Sequence, residues 1–176
     1  MKHQFTLDEP AIDFSDVAFL SILSSTPDYA LVDDLNHLYD LALHRIDDAV
    51  VGEHALPLYV HGDAMRHLDY YLVALAPVAE GYLLIVRGSS CREVLSAIEG
   101  DFSAAVAEPH PADLPAVRRH AILSRYQSAF TPVSVVEFTP AEIDEASRPG
   151  RHTLKGRVLL ADIFARILDH LDLAGL

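Results

Sequence analysis

Tryptophan is missing from the chain, and cysteine occurs once, at Cys91. A single cysteine cannot close an intrachain disulfide, so packing alone must hold the fold, which suits a reducing compartment. The lack of tryptophan removes one usual anchor of interface hot spots. Lysine is nearly absent too, with only Lys2 and Lys155 beside eleven arginines. Positive charge as a whole is scarce: 13 bases face 26 acids, for a formal net charge of −13. A field of that sign repels phosphate backbones and anionic lipid headgroups, so neither nucleic acid nor a membrane surface is an expected partner. No apolar run reaches the ~20 residues that span a bilayer. The opening MKHQFTLDEPAIDFSD is too acidic and too broken for a signal peptide. The expectation is a cytoplasmic protein. Missing as well are G-x-S-x-G, G-x-G-x-x-G, C-x-x-C and H-E-x-x-H, so no catalytic residue is assigned and no cofactor is implied.

What is present is an ordinary globular composition, 51% hydrophobic and 22% charged over 176 residues. That length fits one domain able to bury a core without staples. The densest apolar stretch is Leu56 to Gly88. Within it Tyr70 to Ala76 and Gly81 to Val86 read as strands joined by Pro77-Val78-Ala79-Glu80, with Leu56 to Val60 a third. Runs this continuous suit central strands covered on both faces.

On either side the chain reads as strands in runs with helices interspersed. Residues 4–7 and Val17 to Leu23 are expected strands. Thr26 as cap, Pro27 and Asp28 open a helix to about Leu41, with Leu31, Leu35, Leu38 and Ala42 facing the sheet. Residues 43–51 fit helix or strand alike. Ser90 and Glu93 stand at capping-box spacing before Val94, Leu95 and Ile98, and Gly100 is the expected stop. Residues 107–116, with three prolines, read as an exposed loop. Ala121 to Tyr126 and Val133 to Phe138 are two further expected strands. Thr139-Pro140-Ala141-Glu142 opens a short helix that Arg148-Pro149-Gly150 stops. A last helix over about 154–171 carries a wide stripe of Val158, Leu159, Phe164, Ile167, Leu168 and Leu171, fit to dock on the domain or on a partner. Without regular strand–helix alternation or an internal repeat, the pattern is α+β with a mainly antiparallel sheet, one domain over 1–176.

Ten histidines make metal binding the first chemistry to consider. Asp33, His37, Asp40 and His44 share one side of the first helix if it runs that far, the spacing that helical metal sites use. The same face lies opposite the leucine stripe, so it also reads as a plain solvated face. His61-Gly62-Asp63 follows a strand end. It reads as a turn or, joined by His37 and Asp40, as a metal-ligand set. Arg87-Gly88-Ser89-Ser90-Cys91-Arg92 places a strand end, a glycine turn and a helix start in succession. That is the outline of an anion site formed by Arg87, Ser89, Ser90, Cys91 and Arg92, and one that would lower the Cys91 pKa. It lacks the Lys-Ser/Thr pair of a phosphate loop.

The order of TLDEPAIDFSDVAFLSI, TPDYALVDDLNHLYDL, LHRIDDAV, LDYYLVALA and GYLLIVRG resembles the IPExxxVDY family of uncharacterised bacterial proteins. The shared features are an acidic "DF" opening, a D-Y helix containing Leu35-Asn36, Arg45 with Asp47 and Asp48, and paired tyrosines at Tyr70-Tyr71. The name-giving signature is not there; only Tyr82 stands in its place. The likeness covers about half the chain and implies no activity. It does imply that the first helix ends near Leu41, which takes His44 off the face of His37 and Asp40.

These observations lead to three readings. The first is a non-catalytic module that binds a protein partner, itself included, as a homo-oligomer. The second is a divalent-metal hydrolase using His37, Asp40, His61 and Asp63. The third is a sensor of a small anion or nucleotide at residues 87–92.

Overall fold

The computed structural model describes residues 16–22, 24–76, 78, 80–107, 114–126, 130–131, 139–146, 148 and 156–174. Its centre is a six-stranded sheet in the order β2-β5-β6-β7-β1-β8. The strands are β1 (Val17–Ile22), β2 (His44–Arg45), β5 (Leu58–Asp63), β6 (Leu68–Ala74), β7 (Tyr82–Arg87) and β8 (Phe130–Thr131). Every neighbouring pair is antiparallel. A separate hairpin, β3 (Ala49–Val51) and β4 (His54–Leu56), resolves the ambiguous 43–51 stretch as strand.

Both faces of the sheet are covered, as the unbroken apolar runs predict. Strand residues alternate sides, so Ala18, Leu20, Ile22, Tyr70, Leu72, Leu84 and Val86 belong to one core. Phe19, Leu58, Tyr71, Val73, Leu83 and Ile85 belong to the other. Tyr70 and Tyr71 are therefore neighbours in the chain, each 2% exposed, and in different cores. The first core is closed by α1 (Asp28–Tyr39), α2 (Cys91–Ala107) and α3 (Leu114–Leu123). The second is closed by the β3–β4 hairpin, α4 (Pro140–Ala146) and α5 (Gly156–Ala174). The α+β class with a mainly antiparallel sheet is the architecture observed.

Local chemistry sets the helix ends, and several differ from expectation. Thr26 does not cap α1. Pro27 holds the N-cap place without a side-chain cap, and its carbonyl accepts from the amides of Ala30 and Leu31. Asp28 Oδ1 accepts from the Tyr29 amide instead. The helix stops at Tyr39, not Leu41, because Asp40 turns left-handed (φ 52°). Asn36 then fixes the return, its side chain bonding both the amide (2.8 Å) and the carbonyl (3.1 Å) of Leu43. Gly100 does not end the second helix. A Cβ at Gly100 would meet nothing within 4 Å, and α2 runs through it to Ala107, carried by the buried Cys91, Leu95, Ile98, Phe102 and Ala105. A lone glycine costs a helix only about 1 kcal/mol, which the packing of that stripe outweighs.

The expected strand over 121–126 is instead the last turn of α3 and a 3₁₀ turn, Ser124–Tyr126. Three consecutive apolar residues carry no period of their own, and only Leu123 is buried there. The proline-rich loop is narrower than 107–116, since Ala107 ends α2 and Leu114 opens α3. The expected strands at 4–7 and 133–138 lie outside the described residues. The Thr139 capping box forms as read. The Glu142 amide donates to Thr139 Oγ1 (3.3 Å), and Glu142 Oε2 accepts from the Thr139 amide (2.8 Å). The Thr139 amide and hydroxyl both donate to the Glu142 carboxylate and hold it below its ordinary range.

The apolar stripe near the C-terminus docks on its own domain. Ala161, Ile163, Phe164, Ala165 and Ile167 are buried, and Phe164 meets Phe19 of β1 edge to face at 6.1 Å between ring centres. Val158 and Leu159 of that stripe are half-buried and pack against the same core. No helix among the described residues is long and apolar enough to cross a membrane.

Candidate functional site

The four residues proposed as metal ligands each have a separate setting. His37 lies exposed on the last turns of α1, and Asp40 is the left-handed residue that ends the helix. His61 lies on β5 with its ring 5.7 Å from the Tyr70 ring across the β5–β6 pair. Asp63 Oδ1 accepts from the amides of Met65 and Arg66 at 3.0 Å each, which is turn chemistry. His44, on β2, is off the helix altogether. Among the described residues no three His, Cys, Asp or Glu side chains come together as a metal centre. The metal-hydrolase set is not assembled.

The 87–92 turn does not converge either. Arg87 sits at an odd position of β7, on the side of Leu83 and Ile85, and approaches the Tyr71 hydroxyl. Cys91 lies in the opposite core with Leu95 and Ile98. The sheet thus separates the arginine from the helix start meant to share its anion. The Cys91 amide is taken by the Gly88 carbonyl at 3.0 Å, and the Val94 amide by that of Ser90 at 3.1 Å. Burial pushes the Cys91 thiol up rather than down, a correction to the activated-cysteine expectation. Ser89 and Arg92 are exposed beside it.

Most other polar clusters bind the fold together. Tyr59 donates to Asp28 Oδ2 (2.9 Å), Arg45 stacks over the Tyr59 ring and bonds Asp48 (2.8 Å), and Tyr82 donates to the Thr26 carbonyl. Together they fasten the start of α1 to β2, β5 and β7. Asp34 is 7% exposed, and Arg125 Nη1 donates to both its carboxylate oxygens at 3.2 Å, tying α1 to the turn after α3. Asp162 is 3% exposed on α5, and burial raises its carboxyl while Arg166 at 3.7 Å pulls the other way. Burial likewise pushes the Tyr71 hydroxyl up to about 12.

A cleft of about 520 Å³ lies between the last turn of α1 and the outer side of α3, lined by His37, Leu38, Pro115, Arg118 and Arg119. Arg119 is its fixed member. One of its nitrogens caps the Leu38 carbonyl (3.0 Å), another grips Asp101 of α2, and the guanidinium lies 5.5 Å over the Tyr39 ring. The Tyr39 hydroxyl is buried beneath this pair without a well-formed hydrogen bond, and burial with the nearby Asp101 charge raises its pKa. Arg118, one residue before Arg119, is exposed and forms no ion pair among the described residues. Around it α3 leaves Pro115, Val117 and Ala121 in solvent, Val117 being 37% exposed. An arginine beside apolar side chains is the composition that interface cores favour.

Sequence reasoning reached His37 but missed Arg118 and Arg119. Arg119 lies 81 positions from Leu38 in the chain, and no local period links the two. No known family model, no curated protein and no solved structure matches the chain. The likeness to the IPExxxVDY family therefore rests on the residues quoted for it alone.

Proposed function

We propose that this chain is a non-catalytic protein-binding module of the cytoplasm, which takes its partner, a second copy of itself included, at the cleft between α1 and α3. The observation that carries this reading is the cleft itself. There the Arg118 guanidinium, with no ion pair among the described residues, stands among exposed apolar residues on a helix that Arg119 fastens to α1 and α2. The lining holds His37 but no carboxylate, serine or cysteine for it to activate or be oriented by, so its chemistry suits recognition. The C-terminal stripe is not part of this surface, because its described residues are spent in the second core.

The test is a light-scattering mass measured over a concentration series. The wild-type mass is expected to rise above that of one chain between about 1 and about 100 µM, the range of a modest interface. Arg118→Glu, on an exposed side chain, is expected to stay at one chain throughout with an unchanged melting temperature. A variant that associates as well as the wild type overturns the reading, and a wild type that is monomeric at every concentration removes the second copy as its partner.

A further inference from the structure

The chemistry of the cleft says more about what enters it. We infer that the docked segment is an acidic stretch of polypeptide, its carboxylates gripped by Arg118 and His37; this deepens, and rests on, the docking reading above. The side chains lining the cleft that can carry charge are His37, Arg118 and Arg119, all potential cations, in a chain whose formal net charge is −13. With Arg119 paired to Asp101, the charge left to attract a negatively charged segment there is that of Arg118, which forms no ion pair among the described residues.

The two arginines play different parts. Arg119 is spent on Leu38, Asp101 and the Tyr39 ring, so it acts as a positioning residue that fixes the wall of the cleft. Arg118 keeps its guanidinium fork for a bidentate carboxylate contact, the pairing to which its planar geometry is suited. His37 adds a donor on the opposite wall. Asp33 stands one helical turn before it and Asp40 just after the helix, and both weaken the field at the imidazole. Arg118 is therefore the principal determinant, and Asp33→Asn should strengthen the site.

Leu38 and Pro115 give the floor an apolar strip, which favours a peptide over a free inorganic anion. The carboxylates would sit above that strip, and the aliphatic parts of the segment would lie along it.

The experiment uses the full chain and a fluorescent hexaglutamate peptide, with hexaglutamine and inorganic phosphate as the other arms, followed by anisotropy. Hexaglutamate is expected to bind wild type and to weaken roughly 10-fold in Arg118→Ala, a loss typical of one charge-assisted contact. Binding is also expected to weaken as salt rises from about 50 to about 300 mM and to tighten roughly 2-fold in Asp33→Asn, the scale of a single surface charge. Hexaglutamine should not bind. Equal binding of the two peptides, no effect of Arg118→Ala, or displacement by phosphate at equal concentration overturns the inference. If Arg118→Glu still abolishes association while hexaglutamate does not bind, the acidic partner falls and the docking reading stands. Loss of both effects removes both.

Discussion

Replacing Phe164 by alanine is expected to destabilise the protein by about 3–5 kcal/mol, the usual cost of emptying a buried aromatic site. Phe164 is 1% exposed and edge-on to Phe19 at 6.1 Å with an interplanar angle of 82°. Ala161, Ile163 and Ile167 on the same helix are each fully buried, so the space left would be enclosed in the core. A loss of that size is a large share of a domain stability of roughly 5–15 kcal/mol. Denaturant unfolding of the variant measures it. The oligomeric mass should not change with it, beyond what partial unfolding causes. A variant of unaltered stability whose association is lost would place α5 at an interface between chains instead of in the core.

Gly88→Ala is the second severe change. Gly88 has φ +131°, a conformation that side-chain-bearing residues rarely adopt. An added Cβ would fall inside the van der Waals shell of the His67 carbonyl oxygen and 2.7 Å from Leu68 Cδ2. The obstacle includes backbone, so rotation of a side chain cannot relieve it. The Gly88 amide also donates to the Asp16 carbonyl at 2.7 Å, a bond that a shift of the turn would break. Backbone strain and overpacking together suggest a loss of about 3 kcal/mol or more. Gly62→Ala makes the control, because its Cβ would meet only Asp69 Oδ1 at an ordinary 3.5 Å. If both variants unfold at the same denaturant concentration, the close approach of the 88 turn to His67 is not real.

The parts of the fold that sequence reveals are those where one residue period dominates. Tyr70 to Ala74 and Tyr82 to Val86 are apolar on successive positions, and only a strand with two covered faces absorbs that pattern. The Thr139–Glu142 box declares its helix because both side chains must reach backbone amides at a fixed spacing. Ala121 to Tyr126 misleads because three apolar residues fit either period, and the preceding α3 decides between them. Gly100 misleads because a glycine's intrinsic cost is smaller than the packing of the stripe that passes it. The 87–92 turn shows the limit most clearly. Arg87 and Cys91 are four residues apart, yet the strand's alternation and the following turn send them to opposite sides of the sheet. The cleft inverts that case, with residues far apart in the chain meeting through the packing of α1, α2 and α3. Spacing along the chain reports local geometry, and the candidate site is not local.

The most direct test of the account is backbone hydrogen exchange on dilute and concentrated protein. Amides within α5 that the core encloses should exchange slowly at both concentrations, whereas residues around 36–41 and 114–123 should gain protection only in the concentrated sample. That pattern would place the partner at the α1–α3 cleft with α5 internal. Protection that appears in α5 on concentration, with the cleft unchanged, would contradict it.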